Sequence, residues 1–426
     1  MSDIRQAARF AAGLYLQRAG LLAHGYLRRE PLARLSLRPG RANPYKIYER
    51  MRARGPLQPT MLGNWVTVSH AVCGAVLRDR RFGVRAEEPT AQDELFDMSF
   101  LGLNPPDHTR LRRLAQPAFS PRAVAGYTAR IEATVAGLLD RAAATAQFDL
   151  VPAFAGALPI AVITDLMGIP DADAAEFSRY GVTIGSALDG IQSLRHAARL
   201  QEADHALAAM FEALFELRRR EPGDDVVSRI VAAEGDQVRP AELLPLCDLL
   251  LVAGFETTVN LIGNTVLALL AHPEQWRDLC ADPAGLAGPA VEETLRYDPP
   301  VHLTSRVALQ PAEVAGREVR KGQIVVTLIG ATGRDPEVHE RPAVFDLHRE
   351  TTAENLAFSS GIHYCLGKPL ALLEATIAVR ALAERMPGLA LAGPVRRRNN
   401  TIIRGPVSVP VTAGSRSAPV PVPAAG

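Results

Sequence analysis

Apolar residues recur at helical spacing along most of the chain. Residues 123–146 and 194–220 are rich in alanine and leucine, with apolar side chains three or four positions apart, which predicts two amphipathic helices. A third such stretch starts at Pro240, since proline favours the first turn of a helix, and ends near His272, before Pro273. A helix of about thirty residues would be about 45 Å long, which is enough to cross a whole domain.

Strand-like segments are few and short. They lie at residues 65–68, 307–309 and 324–329, the last with a Val-Val-Thr centre. Because these segments do not alternate regularly with helices, a doubly wound α/β sheet is disfavoured. We find no internal repeat. The pattern predicts one large, mainly α domain with a minor β portion.

The two ends of the chain differ from its middle. The first forty residues contain seven arginines and two acidic residues, with Phe10, Leu14, Leu21 and Leu22 between them, which predicts a basic amphipathic helix. It is either an arm that binds a membrane surface or a partner, or, as we prefer, an extension that lies on the body with its arginines in water. Residues 413–426 are rich in Pro, Ala and Gly and are predicted to be a disordered tail. Residues 41–412 then form the domain.

Composition excludes several classes of protein. The 426 residues carry 47 basic and 46 acidic side chains, a net charge of +1, whereas nucleic-acid binders usually have a basic excess. Four cysteines are too few for a disulfide framework in a chain of this length, and they fit a reducing cytoplasm. No run approaches the roughly 18 uncharged apolar residues of a membrane span. We therefore expect a soluble, cytoplasmic protein that has no membrane span and binds no nucleic acid.

The stretch FSSGIHYCLG at residues 358–367 contains the most informative cysteine. Cys365 follows a glycine-containing loop and precedes a helical pattern, so its sulfur faces backbone N–H groups and the positive end of a helix, which favour a thiolate. Phe358 can shield that sulfur from water. A shielded, hydrogen-bonded thiolate suits an axial ligand of haem iron. Taken alone, Cys365 would also fit a buried structural cysteine or a nucleophile paired with His363.

The whole frame Phe-x-x-Gly-x-His-x-Cys-x-Gly resembles the haem-binding loop of the cytochrome P450 family. Three further motifs of that family stand in the expected order, so the resemblance extends from about residue 43 to residue 411. One departure is Ser359, which replaces a usual glycine at a turn that often prefers a positive φ. The resemblance implies that Cys365 binds the haem iron and that the rest of the frame binds the cofactor through Phe358, Gly361, His363 and Gly367.

Glu293 and Arg296 match the Glu-x-x-Arg motif of the family. At i, i+3 their side chains share one face of a helix and can pair. Alone, this motif is an ordinary surface ion pair. The resemblance implies that the pair braces the core on the thiolate side of the haem. Val344 stands where many relatives have an arginine that completes a triad, so Arg341 or Arg349 is expected to close the network.

The middle of the long helix reads Ala-Gly-Phe-Glu-Thr-Thr at residues 253–258. Gly254 and Thr257 fall on one stripe, and the missing side chain of Gly254 leaves room for a flat cofactor and a small diatomic molecule. The Thr257 hydroxyl can bond back to the Ala253 carbonyl and bend the helix. Alone, this is a buried helix with a tolerated glycine. The resemblance implies that Ala253 and Gly254 bind the cofactor and that Glu256 and Thr257 are a catalytic acid–alcohol pair for proton delivery.

His108 and Arg112 stand at i, i+4 and present two donors on one helical face. A solvated basic helix remains the alternative interpretation for their neighbours. The resemblance implies that His108 and Arg112 bind the haem propionates together with Arg306 and His363, because cationic and N–H donors are the expected partners of carboxylates in a semi-buried pocket.

The resemblance implies a cytochrome P450 fold, thiolate-ligated haem b, and a monooxygenase that uses O₂ to hydroxylate or epoxidise an organic substrate. It implies a monomer that receives electrons from a ferredoxin and a ferredoxin reductase. One alternative is oxidative C–C or C–N coupling or ring closure without oxygen insertion, and another is a non-catalytic haem-binding sensor. The ferredoxin is expected to dock on a basic patch of Arg110, Arg113 and Lys368.

Family positions also suggest a substrate pocket. Its mixture of apolar and hydrogen-bonding side chains suits a medium or large organic molecule with a few polar groups, such as a secondary metabolite. The predicted pocket residues are Phe96, Leu249, Val252, Val301, His302, Thr304, Thr401 and Ile402.

Overall fold

The computed structural model describes residues 2–61, 63–86, 98–170, 174–350, 352–398 and 400–414. These residues form a mainly helical structure with a minor β portion, as predicted. The predicted tail lies outside the described residues from position 415 onward. The helices α1–α16 are, in order, Ser2–Leu22, Pro31–Leu35, Arg38–Ala42, Tyr45–Arg52, His70–Arg78, Asp107–Ala115, Pro121–Ala143, Ala157–Met167, Ala174–Gly185, Leu194–Arg220, Val226–Ala232, Pro240–Ala271, Pro273–Ala281, Pro283–Tyr297, Ile329–Thr332 and Lys368–Arg385.

Side chains cap the first turns of the three long helices. Ser120 accepts a hydrogen bond from the Ala123 N–H at the start of α7, and Ser193 does the same for His196 at the start of α10. At the start of α12, the Glu242 carboxylate accepts from the Arg239 N–H over 2.8 Å. The third helix has 32 residues and ends before Pro273, in agreement with the sequence pattern.

The strands form one larger sheet and three smaller ones. The five-stranded sheet has the order β1-β2-β8-β5-β3, in which β2 and β8 run parallel and the other neighbours run antiparallel. The smaller sheets are β4-β12-β9, β10-β11 and β6-β7. The strands β1–β12 are, in order, Leu57–Pro59, Trp65–Thr67, Phe82–Gly83, Gln147–Asp149, Thr304–Ala308, Ala312–Val314, Arg317–Val319, Ile324–Thr327, Ala390–Leu391, Arg396–Arg397, Pro406–Ser408 and Pro410–Thr412.

Two predicted strands have different bounds in the structure. The segment at 307–309 is the end of β5, which starts at Thr304 because Thr304 already pairs with Thr327 of β8. The segment at 324–329 ends as a strand at Thr327, and Ile329 begins the short helix α15. Pairing across the sheet, which the local pattern does not contain, sets these ends.

Helix α12 lies at the centre of the main hydrophobic core. It packs against α8, α9, α14 and α16. Among the described helices it alone has the length and mean hydropathy of a membrane span, and 78% of that window is buried inside the protein. A helix that neighbouring helices surround on most sides is apolar around most of its circumference. Burial in the core therefore accounts for the apolar composition of α12.

The basic N-terminal segment forms helix α1, as its pattern predicts. Within its described side chains, Leu14 is buried, whereas Tyr15 and Leu16 are exposed. Arg18 donates a hydrogen bond to the Gln192 carbonyl oxygen, between α9 and α10. This contact attaches α1 to the body of the protein.

Candidate active site

Cys365 lies in the loop that leads into α16. Its backbone N–H donates to the Phe358 carbonyl oxygen over 2.9 Å, which closes the loop. Burial raises the pKa of the Cys365 thiol, while hydrogen bonds from the Gly367 and Lys368 N–H groups and the charge of Arg112 oppose that rise. These N–H groups belong to the first turn of α16, so the predicted stabilisation of a thiolate by a helix start has a physical basis here.

The other three cysteines are also free thiols. Burial raises the pKa of Cys73 to about 12 and that of Cys280 to about 11, and it raises the pKa of Cys247 well above its usual value. These thiols therefore stay protonated at neutral pH, and Cys365 is the best placed of the four to ionise.

The cysteine loop contains two residues with positive φ. Ser359 has a φ of 62°, which confirms that a side chain is forced into a conformation that favours glycine. Gly361 has a φ of 73°, and a Cβ there would overlap the Leu77 carbonyl oxygen at the end of α5. Gly361 is therefore required both by its own backbone conformation and by the close approach of α5.

Four cationic or N–H donor side chains meet beside this loop. The rings of His108, on α6, and His363, in the loop, have centroids 4.3 Å apart. Arg112, one turn after His108, donates to the Tyr364 carbonyl oxygen over 2.6 Å. Arg306 comes from β5 and is 4% exposed. The structure thus brings together the four residues that the resemblance assigns to the propionates.

The charges of this cluster repel one another. Burial lowers the pKa of His363 to about 3, with further lowering by Arg306, His108 and Arg112. Burial also lowers the pKa of Arg306 to about 10. Within the described ranges, no carboxylate forms a salt bridge with any of the four. Both ring nitrogens of His108 and Nε2 of His363 are buried without a hydrogen-bond partner there. This donor set fits the two carboxylates of haem b.

The middle of α12 has an accessible notch. Ala253 is exposed and Gly254 and Thr257 are half-buried, although Val252, Phe255 and most other residues of the helix are buried. The Thr257 hydroxyl lies 3.4 Å from the Ala253 carbonyl oxygen, which is the predicted back-bond at its outer limit. The notch places a backbone surface and a hydroxyl on one side of the helix, as the resemblance implies.

Gly254 has a packing role that the sequence did not indicate. A Cβ at this position would lie 2.5 Å from Cδ1 of Ile163, which belongs to α8. The glycine therefore allows α8 and α12 to approach closely. Its predicted part in cofactor binding stays a prediction.

Glu256 points away from the notch. Its carboxylate is 1% exposed and accepts a hydrogen bond from Nη1 of Arg398 over 2.8 Å. A side chain at Gly185, the last residue of α9, would overlap Glu256 Oε2. Consecutive helical residues point about 100° apart, so Glu256 and Thr257 do not share a face. The predicted proton-delivery role of Glu256 requires its carboxylate to move or to act through water.

Glu293 and Arg296 form a buried pair with two hydrogen bonds of 2.7 Å. Arg296 also donates to the carbonyl oxygen of Val344, the residue that replaces the usual arginine. Arg349 closes the network because its Nε lies 3.2 Å from Glu293 Oε1. The other candidate, Arg341, pairs with Asp346 at the surface instead.

The predicted pocket residues fall into two groups. Leu249 and Val252 are buried on α12. The other described residues lie on two adjacent segments, because Val301 pairs with Ile403 and the His302 N–H donates to the Ile402 carbonyl oxygen over 2.8 Å. Thr304 begins β5, and Thr401 precedes Ile402 in the loop after β10. Phe96 lies outside the described residues.

The predicted pocket role of His302 is wrong as far as its side chain is concerned. The ring is 0% exposed, and Nδ1 lies 3.1 Å from the Tyr48 hydroxyl while Nε2 lies 3.5 Å from Asp298. Burial lowers the pKa of His302 to about 4, so the ring is neutral at pH 7. A ring without accessible surface contributes to the core and not to a pocket wall.

The predicted basic patch for a ferredoxin carries less unpaired positive charge than its three basic residues suggest. Arg110 pairs with Asp107 over 2.6 Å and with Glu242 over 2.7 Å, so its charge is neutralised locally. Arg113 is exposed, and the Lys368 Nζ lies 5.6 Å from the Phe358 and Tyr364 ring centroids. Arg113 and Lys368 are the two members that still offer positive charge.

Sequence reasoning missed Arg398 as a neighbour of the site. Arg398 lies 142 residues after Glu256 and belongs to no motif, so no spacing signal identifies it. The fold alone brings the loop after β10 against α12.

A family model described as Cytochrome P450 matches residues 287–385. The cytochrome P450 monooxygenase PikC of Streptomyces venezuelae is 38% identical over 387 residues, which cover 87% of this chain and 91% of PikC. The polyketide biosynthesis cytochrome P450 PksS of Bacillus subtilis is 33% identical over 394 residues, covering 87% of this chain and 96% of PksS.

A solved structure agrees with these matches. The crystal structure of Mycobacterium smegmatis CYP164A2 in the ligand-free state superposes with a TM-score of 0.84 and 40% sequence identity. The match covers 90% of this chain and 99% of that protein.

Proposed function

Since the chain belongs to the cytochrome P450 family, whose members are monooxygenases that hold haem b through a cysteine thiolate, we propose that it hydroxylates or epoxidises a medium-to-large organic substrate with O₂. Cys365 is the proposed iron ligand. Its substrate belongs to secondary metabolism, which the similarity to a polyketide biosynthesis enzyme supports.

One observation carries this proposal. The Cys365 loop and the cluster of His108, Arg112 and Arg306 adjoin each other, since the Arg112 guanidinium donates to the carbonyl oxygen of Tyr364, next to the cysteine. Helix α16, which starts after Cys365, packs against α12, which carries the notch. A flat dicarboxylic cofactor with a thiolate-bound metal needs this combination of one sulfur, several cationic donors and an open helix face.

The chain's own residues have distinct proposed tasks. Bound haem supplies the activation of O₂ and the oxidation of the substrate. His108, Arg112, Arg306 and His363 would bind its carboxylates. The Gly367 and Lys368 N–H groups stabilise the charge on Cys365.

Residues of the notch on α12 and the predicted pocket residues would supply protons and bind the substrate. The Thr257 hydroxyl holds a proton at the notch, and Glu256 supplies protons from the interior. Leu249, Val252, Val301 and Thr401 orient the substrate. Electrons come from a ferredoxin, which is reduced by a ferredoxin reductase. The free state of all four cysteines supports a reducing compartment such as the cytoplasm.

The absorption spectrum of the reduced, carbon-monoxide-bound protein tests the proposal. Wild type is expected to show the red-shifted Soret band of a thiolate-bound haem. Cys365→Ala is expected to lose it, while Cys280→Ala, a matched change at another half-buried cysteine, keeps it. Absence of the band in wild type would overturn the proposal.

The mass of the product tests the type of reaction. Compounds that shift the haem spin state are first selected and then incubated with NADPH, ferredoxin and ferredoxin reductase. A gain of one oxygen supports hydroxylation or epoxidation, whereas a loss of two hydrogens indicates coupling or ring closure. NADPH consumption that none of the bound compounds stimulates would indicate a sensor and not an enzyme.

A further inference from the structure

The ion pair between Glu256 and Arg398 connects the central helix to a distant loop. Glu256 is 1% exposed, and the Arg398 side chain is 15% exposed. The Nη1–Oε1 distance of 2.8 Å is that of a charge-assisted hydrogen bond. The pair is shielded from water, so the loss of either partner leaves the other charge buried and unpaired, which is costly. Each side chain therefore holds the other in position.

Arg398 belongs to a loop between β10 and β11, whose described residues, 398 and 400–405, we name the hairpin loop. Its two ends meet because the Arg398 N–H donates to the Gly405 carbonyl oxygen over 3.0 Å. The loop also pairs with the segment before β5, since the Arg404 N–H donates to the Pro300 carbonyl oxygen over 2.8 Å. The same loop contains the predicted pocket residues Thr401 and Ile402.

The hairpin loop contacts α12 at a second point, one turn after Glu256. The Asn260 amide donates to the Glu256 carbonyl oxygen over 2.9 Å. A Cβ at Gly405 would overlap that same amide group. The loop therefore rests on α12 through a close backbone approach at Gly405 and through the Arg398 guanidinium, and both contacts involve the turn that carries the acid.

We propose that Arg398 is the positioning residue for Glu256 and that the hairpin loop thereby links the substrate wall at Thr401 and Ile402 to the proton-delivery acid. This proposal rests on the proposed function. The guanidinium holds the carboxylate at a fixed place beside α9, and a movement of the loop moves Arg398 and so changes where Glu256 points. The Glu256 carboxylate, the hairpin loop and the predicted pocket residues Thr401 and Ile402 then move together.

Uncoupled NADPH oxidation tests the proposal without a known substrate. Ferredoxin, its reductase and O₂ suffice, because reduction of O₂ to peroxide consumes two electrons and two protons, and reduction to water consumes four of each. Glu256→Gln is expected to slow NADPH oxidation roughly 100-fold, since a positioned acid contributes about that much. Arg398→Ala is expected to slow it roughly tenfold and to raise the solvent isotope effect, because proton transfer becomes limiting.

Three further variants make the test specific. Arg398→Lys keeps a cation and restores at least part of the rate. Arg396→Ala removes an exposed arginine two residues earlier and leaves both quantities unchanged. The double variant Glu256→Gln with Arg398→Ala behaves like Glu256→Gln alone, because Arg398 acts through Glu256. A normal carbon-monoxide spectrum of each variant shows that the protein is folded and loaded.

Hydrogen exchange of the loop gives a readout that is independent of turnover. Arg398→Ala and Glu256→Gln both speed exchange of the backbone N–H groups in the hairpin loop, and Arg396→Ala does not. Unchanged exchange in Glu256→Gln, or an unchanged solvent isotope effect in Arg398→Ala, overturns the proposal. An unaltered rate in Glu256→Gln contradicts instead the proton-delivery role in the proposed function, so the two failures are distinguishable.

Discussion

Arg349 Nε lies 3.2 Å from the Glu293 Oε1 that also accepts a hydrogen bond from Arg296, so one buried carboxylate serves two guanidinium groups. Arg349 further donates to the carbonyl oxygens of Glu340 and Val344, over 2.6 and 2.8 Å. Arg349 thus fills the third position of the network that the resemblance implies.

Loss of Arg349 is expected to destabilise the protein. Arg349→Ala removes one charged partner of Glu293 and the donor to the Glu340 carbonyl oxygen, which should lower the free energy of unfolding by about 2 kcal/mol. Denaturant titration measures it. Arg341→Ala, at the exposed alternative, should change stability by less than about 0.5 kcal/mol. Equal effects of the two variants would contradict the assignment of Arg349 to the network.

The conformation of Ser359 predicts a stabilising substitution. Its φ of 62° with a ψ of −166° is a region that glycine occupies without strain. Ser359→Gly should raise the free energy of unfolding by about 1 kcal/mol, measured by denaturant titration of the holoprotein. Ser359→Ala is the control, because it removes the hydroxyl but keeps the Cβ that causes the strain. A gain in Ser359→Ala as large as in Ser359→Gly would show that the hydroxyl and not the backbone is responsible.

The contact between Gly254 and Ile163 predicts a compensating pair. Gly254→Ala alone should destabilise the protein by about 1–3 kcal/mol, because the new methyl group overlaps the isoleucine side chain. Ile163→Ala removes core packing of its own, but the double variant should lose less stability than the sum of the two single losses, because the shortened side chain makes room for the new methyl group. Thermal unfolding of the two single variants and the double variant measures this coupling. Strict additivity would mean that the two side chains do not meet in solution.

The buried His302 predicts a loss of stability in mild acid. Burial lowers the pKa of this ring to about 4, whereas in the unfolded chain it is about 6.5. The unfolded state therefore binds the proton first, so stability is complete above pH 6.5 and falls as the pH drops toward 4, by up to about 3 kcal/mol.

Replacement of the ring isolates its contribution. His302→Gln should show a shallower fall of the thermal midpoint between pH 7 and pH 5 than wild type. Burial opposes ionisation of Asp298, yet contacts with His302 and Arg397 hold the pKa of that carboxyl well below its usual range, so its own titration lies at lower pH. Parallel pH profiles of wild type and variant would exclude His302 as the source.

The proposed ferredoxin surface predicts an effect of charge reversal at two positions. Arg113→Glu with Lys368→Glu should slow haem reduction by ferredoxin at least tenfold at low salt, because acidic partners are steered by exposed cations. Stopped-flow spectroscopy measures the rate. Arg396→Glu, at the exposed first residue of β10, is the control. An unaltered rate in the double variant would place the docking surface elsewhere.

Local sequence determined the elements and the chemistry of this protein. Apolar spacing predicted α7, α10 and α12 to within a few residues, and Pro240 and Pro273 marked the ends of α12, because helical hydrogen bonds join residues four positions apart. The spacing inside the segment at 358–367 likewise predicted a cysteine beside the start of a helix. The resemblance, which places a glycine at this turn in most members, implied the positive φ at Ser359.

Tertiary structure decided which distant groups meet. The choice of Arg349 over Arg341, the burial of His302 and the pairing of Glu256 with Arg398 all depend on contacts between residues that are far apart in the chain. Periodicity shows which face of a helix is apolar, but it does not say which neighbour covers that face, since many partners satisfy the same pattern. The sequence alone therefore determined the helices and the candidate site residues, and packing decided which distant side chains hold those residues in position.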